Sequence, residues 1–407
     1  MEEKRQKMSI EEEENVKPIL LGTHGGKFHL DDALSAYMLR CLPEYKDAKI
    51  VRDTDPTVLE KLGCEIIFDI GGIYDHEKKR YDHHQRGFAE VFTYDDDSEK
   101  ADSPSKASGD SDAGSSGDSV PIKMAASGLI WRHYGKRIVS ELWPKDYPSV
   151  PQTEANVERV YTRVYKTFIR VVDAGDNGIS PYPSDAFESP EKAKPLYYDG
   201  TTLASRVSNL NPSWIEKGAT KQLADERFEQ ASQLAGSEFV EAVMFSIKSY
   251  LLACTIVDDV FKRRADVHKS GHVLLFEKEE NCPYKNILEG VEEREKQKAH
   301  GDARPYVPVL YCVSFDMARE QWTATALNVR PGSFECRVPF PEAWRGLRDE
   351  ELSKVSGVEN CKFCHLSGFL ACNTSREGIL KMIDLSMETQ QDAVKKYVES
   401  INKKIAK

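Results

Sequence analysis

Apolar residues near the start of the chain come in short runs that stop at histidine or aspartate. Pro18-Ile-Leu-Leu-Gly-Thr23 ends at His24, and Leu30, Leu34, Tyr37, Met38 and Cys41 then recur at helical spacing. Ala48-Lys-Ile-Val51 and Cys64-Glu-Ile-Ile-Phe68 read as further strands with a short helix between them, the second strand ending at Asp69. Such alternation predicts a parallel sheet with helices on its faces. The ligand site of such a sheet lies beyond the carboxyl ends of its strands, which is where His24 and Asp69 fall.

The pattern breaks at 95–119, a stretch of Asp, Ser, Gly and Lys with no aromatic or β-branched residue. It cannot bury enough apolar surface to offset its ordering entropy and reads as a disordered insertion. From Pro121 an apolar helix runs through Trp131 to Leu142. A second helix places Val157, Val160, Val164, Phe168 and Val171 on one face and delivers Asp173 at its end, before the turn signature Gly175-Asp-Asn-Gly178. Beyond Pro212 the order changes: helical pattern over 222–264, strand-like runs at 272–276, 307–315 and 321–329, and a closing helix over 376–405. The expected fold class is therefore α/β, with a parallel-sheet domain over 17–220 and a smaller α+β domain over 221–407.

At 407 residues, 40% hydrophobic and 30% charged, the chain suits two globular domains. No apolar run approaches the roughly 20 residues that span a bilayer, so no membrane partner is expected. The acidic start lacks the marks of a secretory or mitochondrial leader. Nine scattered cysteines, an odd number, point to reduced thiols and an intracellular setting. A net charge of −11 gives no global attraction to nucleic acid, although a local basic groove is compatible with that total.

Five of the ten histidines, His24, His29, His76, His83 and His84, lie close to Asp31, Asp32, Asp69, Asp75 and Asp82 in the chain. Mixed imidazole and carboxylate ligands suit Mn²⁺, Fe²⁺ or Zn²⁺, and with fewer histidines Mg²⁺. Two ions about 4 Å apart would polarise a phosphoryl oxygen and activate a water, and Asp69 is placed to bridge them. Each residue also has a bland reading. A lone imidazole at a strand end is ordinarily a hydrogen-bonded structural group, and Asp31-Asp32 at a helix start are ordinarily capping charges. Their co-location at strand and helix ends favours the metal reading.

Asp82-His83-His84 is the signature of the DHH phosphoesterase superfamily, which the chain resembles. Gly22-Thr-His-Gly-Gly-Lys-Phe-His-Leu-Asp-Asp-Ala33, Phe68-Asp-Ile-Gly-Gly72, Tyr81-Asp-His-His-Gln-Arg86 and Val172-Asp-Ala-Gly-Asp-Asn-Gly178 sharpen the resemblance to the Myg (melanocyte proliferating gene product) family. It continues through Leu210-Asn-Pro-Ser-Trp214, Pro341-Glu-Ala-Trp-Arg-Gly-Leu347 and Phe363-Cys-His-Leu-Ser-Gly-Phe369. The resemblance implies a DHH-type catalytic domain, a C-terminal substrate-binding domain, and a metal-dependent 3′–5′ exonuclease acting on single-stranded RNA. It implies two ions, Mn²⁺ or Mg²⁺, held by His24, Asp31, Asp69, His83 and Asp173, with His29 and Asp32 as further ligands.

Catalytic roles fall by the same likeness to Asp69 as bridge, Asp82 orienting His83, and His84 at the scissile phosphate or leaving oxygen. The adjacency of Asp31 and Asp32, where the superfamily spaces its carboxylates, leaves both as ligand alternatives. Arg337, Arg345 and His365 are expected to contact substrate phosphate, Arg because its planar fork pairs bidentately. Relatives are associated with nuclei and mitochondria, so cytoplasm, nucleus and mitochondrion are all expected locations. Cys361-Lys-Phe-Cys364-His365 is a zinc half-site without a second half, so no zinc is expected there. Hydrolysis of short oligonucleotides, cyclic dinucleotides or pyrophosphate is an alternative that keeps the chemistry, and a regulatory protein retaining the fold is a non-enzymatic one.

Overall fold

A computed structural model of the chain describes residues 17–93, 121–180, 199–216, 220–277, 282–330 and 333–405. The expected insertion at 95–119 lies outside them. The chain divides after Lys248 into two compact units.

In the first unit, β1 (Leu20–His24), α1 (Leu30–Arg40), β2 (Lys49–Asp53), α2 (Pro56–Lys61) and β3 (Ile66–Phe68) follow one another in the expected order. Together with the short β4 (Tyr74–Asp75) and β5 (Arg80–Tyr81) they form one sheet, in the order β2-β1-β3-β5-β4. β1 pairs in parallel with β2 and β3, and β5 in parallel with β3; only β4 runs antiparallel. Leu21, Ile66, Ile67 and Phe68 are all buried, as befits parallel strands covered on both faces. Because the strands run the same way, His24 and Asp69 emerge at one edge.

Three later helices wall that edge. α3 (Ala126–Glu141) buries Leu129, Ile130 and Trp131. α4 (Glu154–Val164) and α5 (Arg170–Asp176) are joined by a π-helical turn, Tyr165–Ile169. The apolar face expected over 157–171 therefore does not run straight: Val157, Val160 and Val164 are buried, whereas Val171 is 66% exposed. A π turn inserts one residue into the helical repeat, and each residue is worth about 100° of rotation.

α6 (Leu203–Ser208) and α7 (Lys221–Phe245) complete the unit. The border expected at 220/221 moves to 248/249 because α7 belongs to this core: Phe228, Ala231, Ala235 and Phe239 are buried. Gly236 lets the Tyr37 ring of α1 approach so closely that a Cβ would lie 2.1 Å from it.

The second unit contains α8 (Leu251–Lys262), β6 (Val273–Phe276), α9 (Tyr284–Gly301), β7 (Tyr311–Asp316), β8 (Gln321–Ala326), α10 (Asp349–Ser356), β9 (Cys361–Cys364), β10 (Leu370–Asn373), α11 (Arg376–Thr389) and α12 (Gln391–Ile405). Its sheet has the order β6-β7-β8-β10-β9, parallel only between β6 and β7. The expected single closing helix breaks at Gln390, whose side-chain amide donates to Pro339 O and Ser386 O. Cys361 and Cys364 are buried strand residues.

One expectation needs correction. The helical stretch Lys221–Lys262 is long and apolar enough to cross a membrane by length and composition, contrary to the reading that no such segment exists. Its apolar residues are those of core helices: Phe228, Phe239 and Val243 are buried in the first unit, and Val257, Val260 and Phe261 in the second.

Candidate metal centre

His24, Asp32 and Asp69 bring ligand atoms within 4.8 Å of one another; so do Asp31, Asp69 and Asp176, and Asp69, Asp82, His83 and His84. Asp69 belongs to all three groups. It follows β3 in a left-handed backbone conformation, φ 55°, a strained state for a non-glycine residue that aims its carboxylate into the cluster.

His24 Nε2 lies 3.0 Å from Asp32 Oδ2 and 3.4 Å from Asp69 Oδ2. His83 Nε2 lies 2.9 Å from Asp176 Oδ2 and 3.8 Å from Asp69 Oδ1. Asp82 accepts from Gly72 N at 2.5 Å and from the backbone N and Nδ1 of His84 at 3.0 and 2.8 Å. It therefore orients His84, where the resemblance implied His83. The His84 side chain is 62% exposed, open to an incoming group. Gly71 and Gly72, both at positive φ, form the tight turn that brings the Gly72 amide to Asp82.

The two adjacent aspartates do different work. Asp32 Oδ1 accepts from His29 N and Ala33 N in a capping box at the start of α1, leaving Oδ2 to face His24. Asp31 spends both oxygens on the first amides of α3, Ala126 N and Ser127 N, at 3.0 and 2.9 Å. Its outer lone pairs still border Asp69 and Asp176. The loop between His24 and His29 is held by buried Arg52, which donates to Gly26 O and lies over Phe28, and by Asn211, which pairs with both Phe28 N and Phe28 O.

The cluster carries five carboxylates and three imidazoles. Burial disfavours the proton on His24, but the hydrogen bonds and charges of Asp32 and Asp69 outweigh it and push its pKa up to about 11. Burial raises Asp69 and Asp31, reinforced by the neighbouring carboxylates. Burial works against the ionised Asp176, yet the His83 imidazole holds it below the usual carboxylate range. Asp32 Oδ2, Asp69 Oδ1 and His83 Nε2 are buried and meet no hydrogen bond of proper geometry. Orphaned buried polar atoms are costly. Three of them converging among excess negative charge, with N and O donors, fit divalent cations.

Sequence comparison is decisive on kinship. The family model MYG1_exonuc, an uncharacterised protein family (UPF0160), matches residues 20–387. The chain belongs to this family. Among its MYG1 relatives, a "MYG1 protein" of Dictyostelium discoideum is 35% identical over 360 residues, 88% of this chain and 94% of that protein. The "MYG1 exonuclease" of Homo sapiens is 36% identical over 366 residues, 90% of this chain and 85% of that protein, and that of Bos taurus is 35% identical over 366 residues.

In this MYG1-family chain the structure brings His24, Asp31, Asp32, Asp69, Asp82, His83 and His84 together and adds Asp176. His29 caps α1 with its ring centroid 5.6 Å from that of His24, outside the three groups. Asp173 also stays outside them. Its Oδ1 accepts from Ala125 N at 2.9 Å and its Oδ2 from Tyr165 OH at 3.0 Å, and it sits so close over Gly128 that a Cβ there would lie 2.4 Å from its Oδ1. Asp173 and Asp31 thus jointly cap α3, whose own N-cap, Ala125, has no capping side chain. The sequence signal for Asp176 was available in Gly175-Asp-Asn-Gly178, but it reads there as a turn residue.

Arg337 is turned into the second unit's core. Its guanidinium donates to both carboxylate oxygens of buried Glu292, at 2.7 Å each, and to Val309 O, while Nε donates to Asn328 O. Those donors are not free for phosphate, so its expected role in substrate binding gives way to a structural one. Arg337→Ala, which strands the buried Glu292, is expected to lower stability by about 3–5 kcal/mol in urea unfolding. An undiminished midpoint would return Arg337 to the substrate residues. Arg345 and His365 do meet at the β9–β10 hairpin: Arg345 Nε donates to Phe340 O beside Gly368, and His365 Nδ1 accepts from Ser367 N.

Proposed function

We propose that the chain is a metal-dependent phosphodiesterase, a 3′–5′ exonuclease on single-stranded RNA that uses two divalent ions, Mn²⁺ or Mg²⁺. The observation that carries this reading is Asp69, a buried carboxylate common to three ligand groups with one oxygen unpartnered. Relatives named "MYG1 exonuclease" support the nuclease class. One ion would be held by His24, Asp32 and Asp69, the other by Asp69, His83 and Asp176 with Asp31 beside them. Bound there, the ions would activate a water and neutralise charge developing on the phosphoryl group.

The chain's own groups do the rest. Asp82 fixes the Nδ1–H of His84 and so presents Nε2 outward, where it hydrogen-bonds a phosphate oxygen or gives a proton to the leaving ribose oxygen. Asp31 and Asp173 lock α3 against the cluster, and Arg52 and Asn211 hold the His24–His29 loop, so that the ligands are set before substrate arrives.

The net charge of −11 favours a second reading, in which short oligonucleotides are the substrates. Turnover on a ~20-mer and on a dinucleotide, each with Mn²⁺, separates the two. Strand binding through several phosphates loses roughly tenfold or more in kcat/KM between about 50 and about 200 mM salt, because counterions are released at each contact. Preference for the long strand with that salt dependence supports the RNA exonuclease. Faster, salt-insensitive cleavage of the dinucleotide replaces it with the short-substrate reading.

A further inference from the structure

Beside the metal centre the first unit holds a cavity of about 520 Å³, within the roughly 300–1,000 Å³ usual for small-ligand sites. His29, Asp31 and Asp176 form part of its wall, and the last two are members of the metal groups. The remainder is largely apolar: Phe168, Val171 and Val172 come from the π turn and α5, Leu203 and Ala204 from α6. Cation binding requires none of these five.

The π turn creates this wall. Had the helix kept its period, Val171 would lie on the buried stripe with Val157, Val160 and Val164; instead it is exposed and lines the cavity. Single π turns occur mostly at functional sites. Phe168 is braced from behind by an edge contact with Phe239, centroids 6.0 Å apart.

We propose that this cavity receives the nucleobase of the nucleotide being released, an inference that rests on the nuclease reading above. With the scissile phosphate at Asp69 and Asp176, the sugar lies at the shared wall and the base enters the apolar part, with Phe168 offering it a ring face. Every base has a π-face, so stacking is tolerant of sequence. The polar groups on the wall include the hydroxyls of Thr167, Thr202 and Ser208, each a rotatable donor and acceptor. The site therefore selects for the presence of a base without selecting which one, as a processive exonuclease requires.

The test pairs turnover with binding. Wild type with Mn²⁺ is expected to cleave a base-bearing 3′ end at least tenfold faster, in kcat/KM, than one ending in an abasic residue, and within about threefold for all four bases. Val171→Trp, which fills the cavity from an exposed position, should reduce the base-bearing substrate to the abasic level and leave abasic turnover unchanged. By calorimetry, adenosine 5′-monophosphate should bind wild type at least tenfold tighter than ribose 5-phosphate, and Val171→Trp should erase the difference. Equal binding of the two, or equal slowing of both substrates in the variant, overturns the base pocket. Preferential nucleotide binding without any phosphodiester cleavage sinks the nuclease reading and leaves the pocket standing.

Discussion

Asp69→Asn is expected to cut phosphodiester turnover about a thousandfold or more while leaving the fold intact. The substitution removes the one carboxylate shared by all three ligand groups. A charge bridging two cations supplies several kcal/mol of transition-state stabilisation, and each 1.36 kcal/mol is a factor of ten. Asparagine is the informative choice because it tolerates the left-handed backbone, φ 55°, that Asp69 adopts. It also relieves repulsion within a cluster of five carboxylates, so the metal-free variant should melt no lower than metal-free wild type. Isothermal titration should further show Mn²⁺ stoichiometry falling from two. A variant that cleaves RNA at the wild-type rate ends the catalytic assignment.

The second large effect separates two aspartates one helical turn apart. Asp176→Asn should lose roughly 10²-fold to 10³-fold in turnover with little change in melting temperature, because its carboxylate faces His83, Asp31 and Asp69. Asp173→Asn should do the reverse in its primary effect, destabilising by about 1–3 kcal/mol through the α3 amides and Tyr165 hydroxyl that Asp173 serves.

Asp173 also makes a pH prediction. Burial pushes its pKa up to about 7, against the lowering effect of the Ala125 and Tyr165 hydrogen bonds, and an unfolded aspartate sits near 3.9. Between those values the folded chain holds the extra proton. The stabilisation is complete below about pH 4 and lost as pH rises through about 7. Melting curves of wild type should decline over that window more than those of Asp173→Asn. Parallel curves, or a dead but fully stable Asp173→Asn, would return Asp173 to the ligand set.

Much of this was readable from local pattern. Runs ending at His24 and Asp69, with helical spacing between, specify a parallel sheet whose carboxyl edge gathers chemistry, and Asp82-His83-His84 names the partner segment. Assigning Asp173 in place of Asp176 has a definite cause. The period of 3.6 was carried through Phe168 and Val171, but the chain takes a π turn at Tyr165–Ile169, and everything after it is rotated. The split between Asp31 and Asp32 was equally hidden, because it depends on the amides of α3, about 95 residues on. Arg337 looked like a phosphate ligand because nothing nearby in the chain announces Glu292 as its partner.

Periodicity, strand-end chemistry and the kinship of the whole chain were set by residue order alone, since each depends on neighbours a few positions apart or on the string itself. Which carboxylate faces an ion, which caps a helix and which arginine is spent in the core were decided only when distant segments met. A buried charge must find a partner, and whether that partner is a cation, an amide or a guanidinium depends on what tertiary packing brings within about 3 Å.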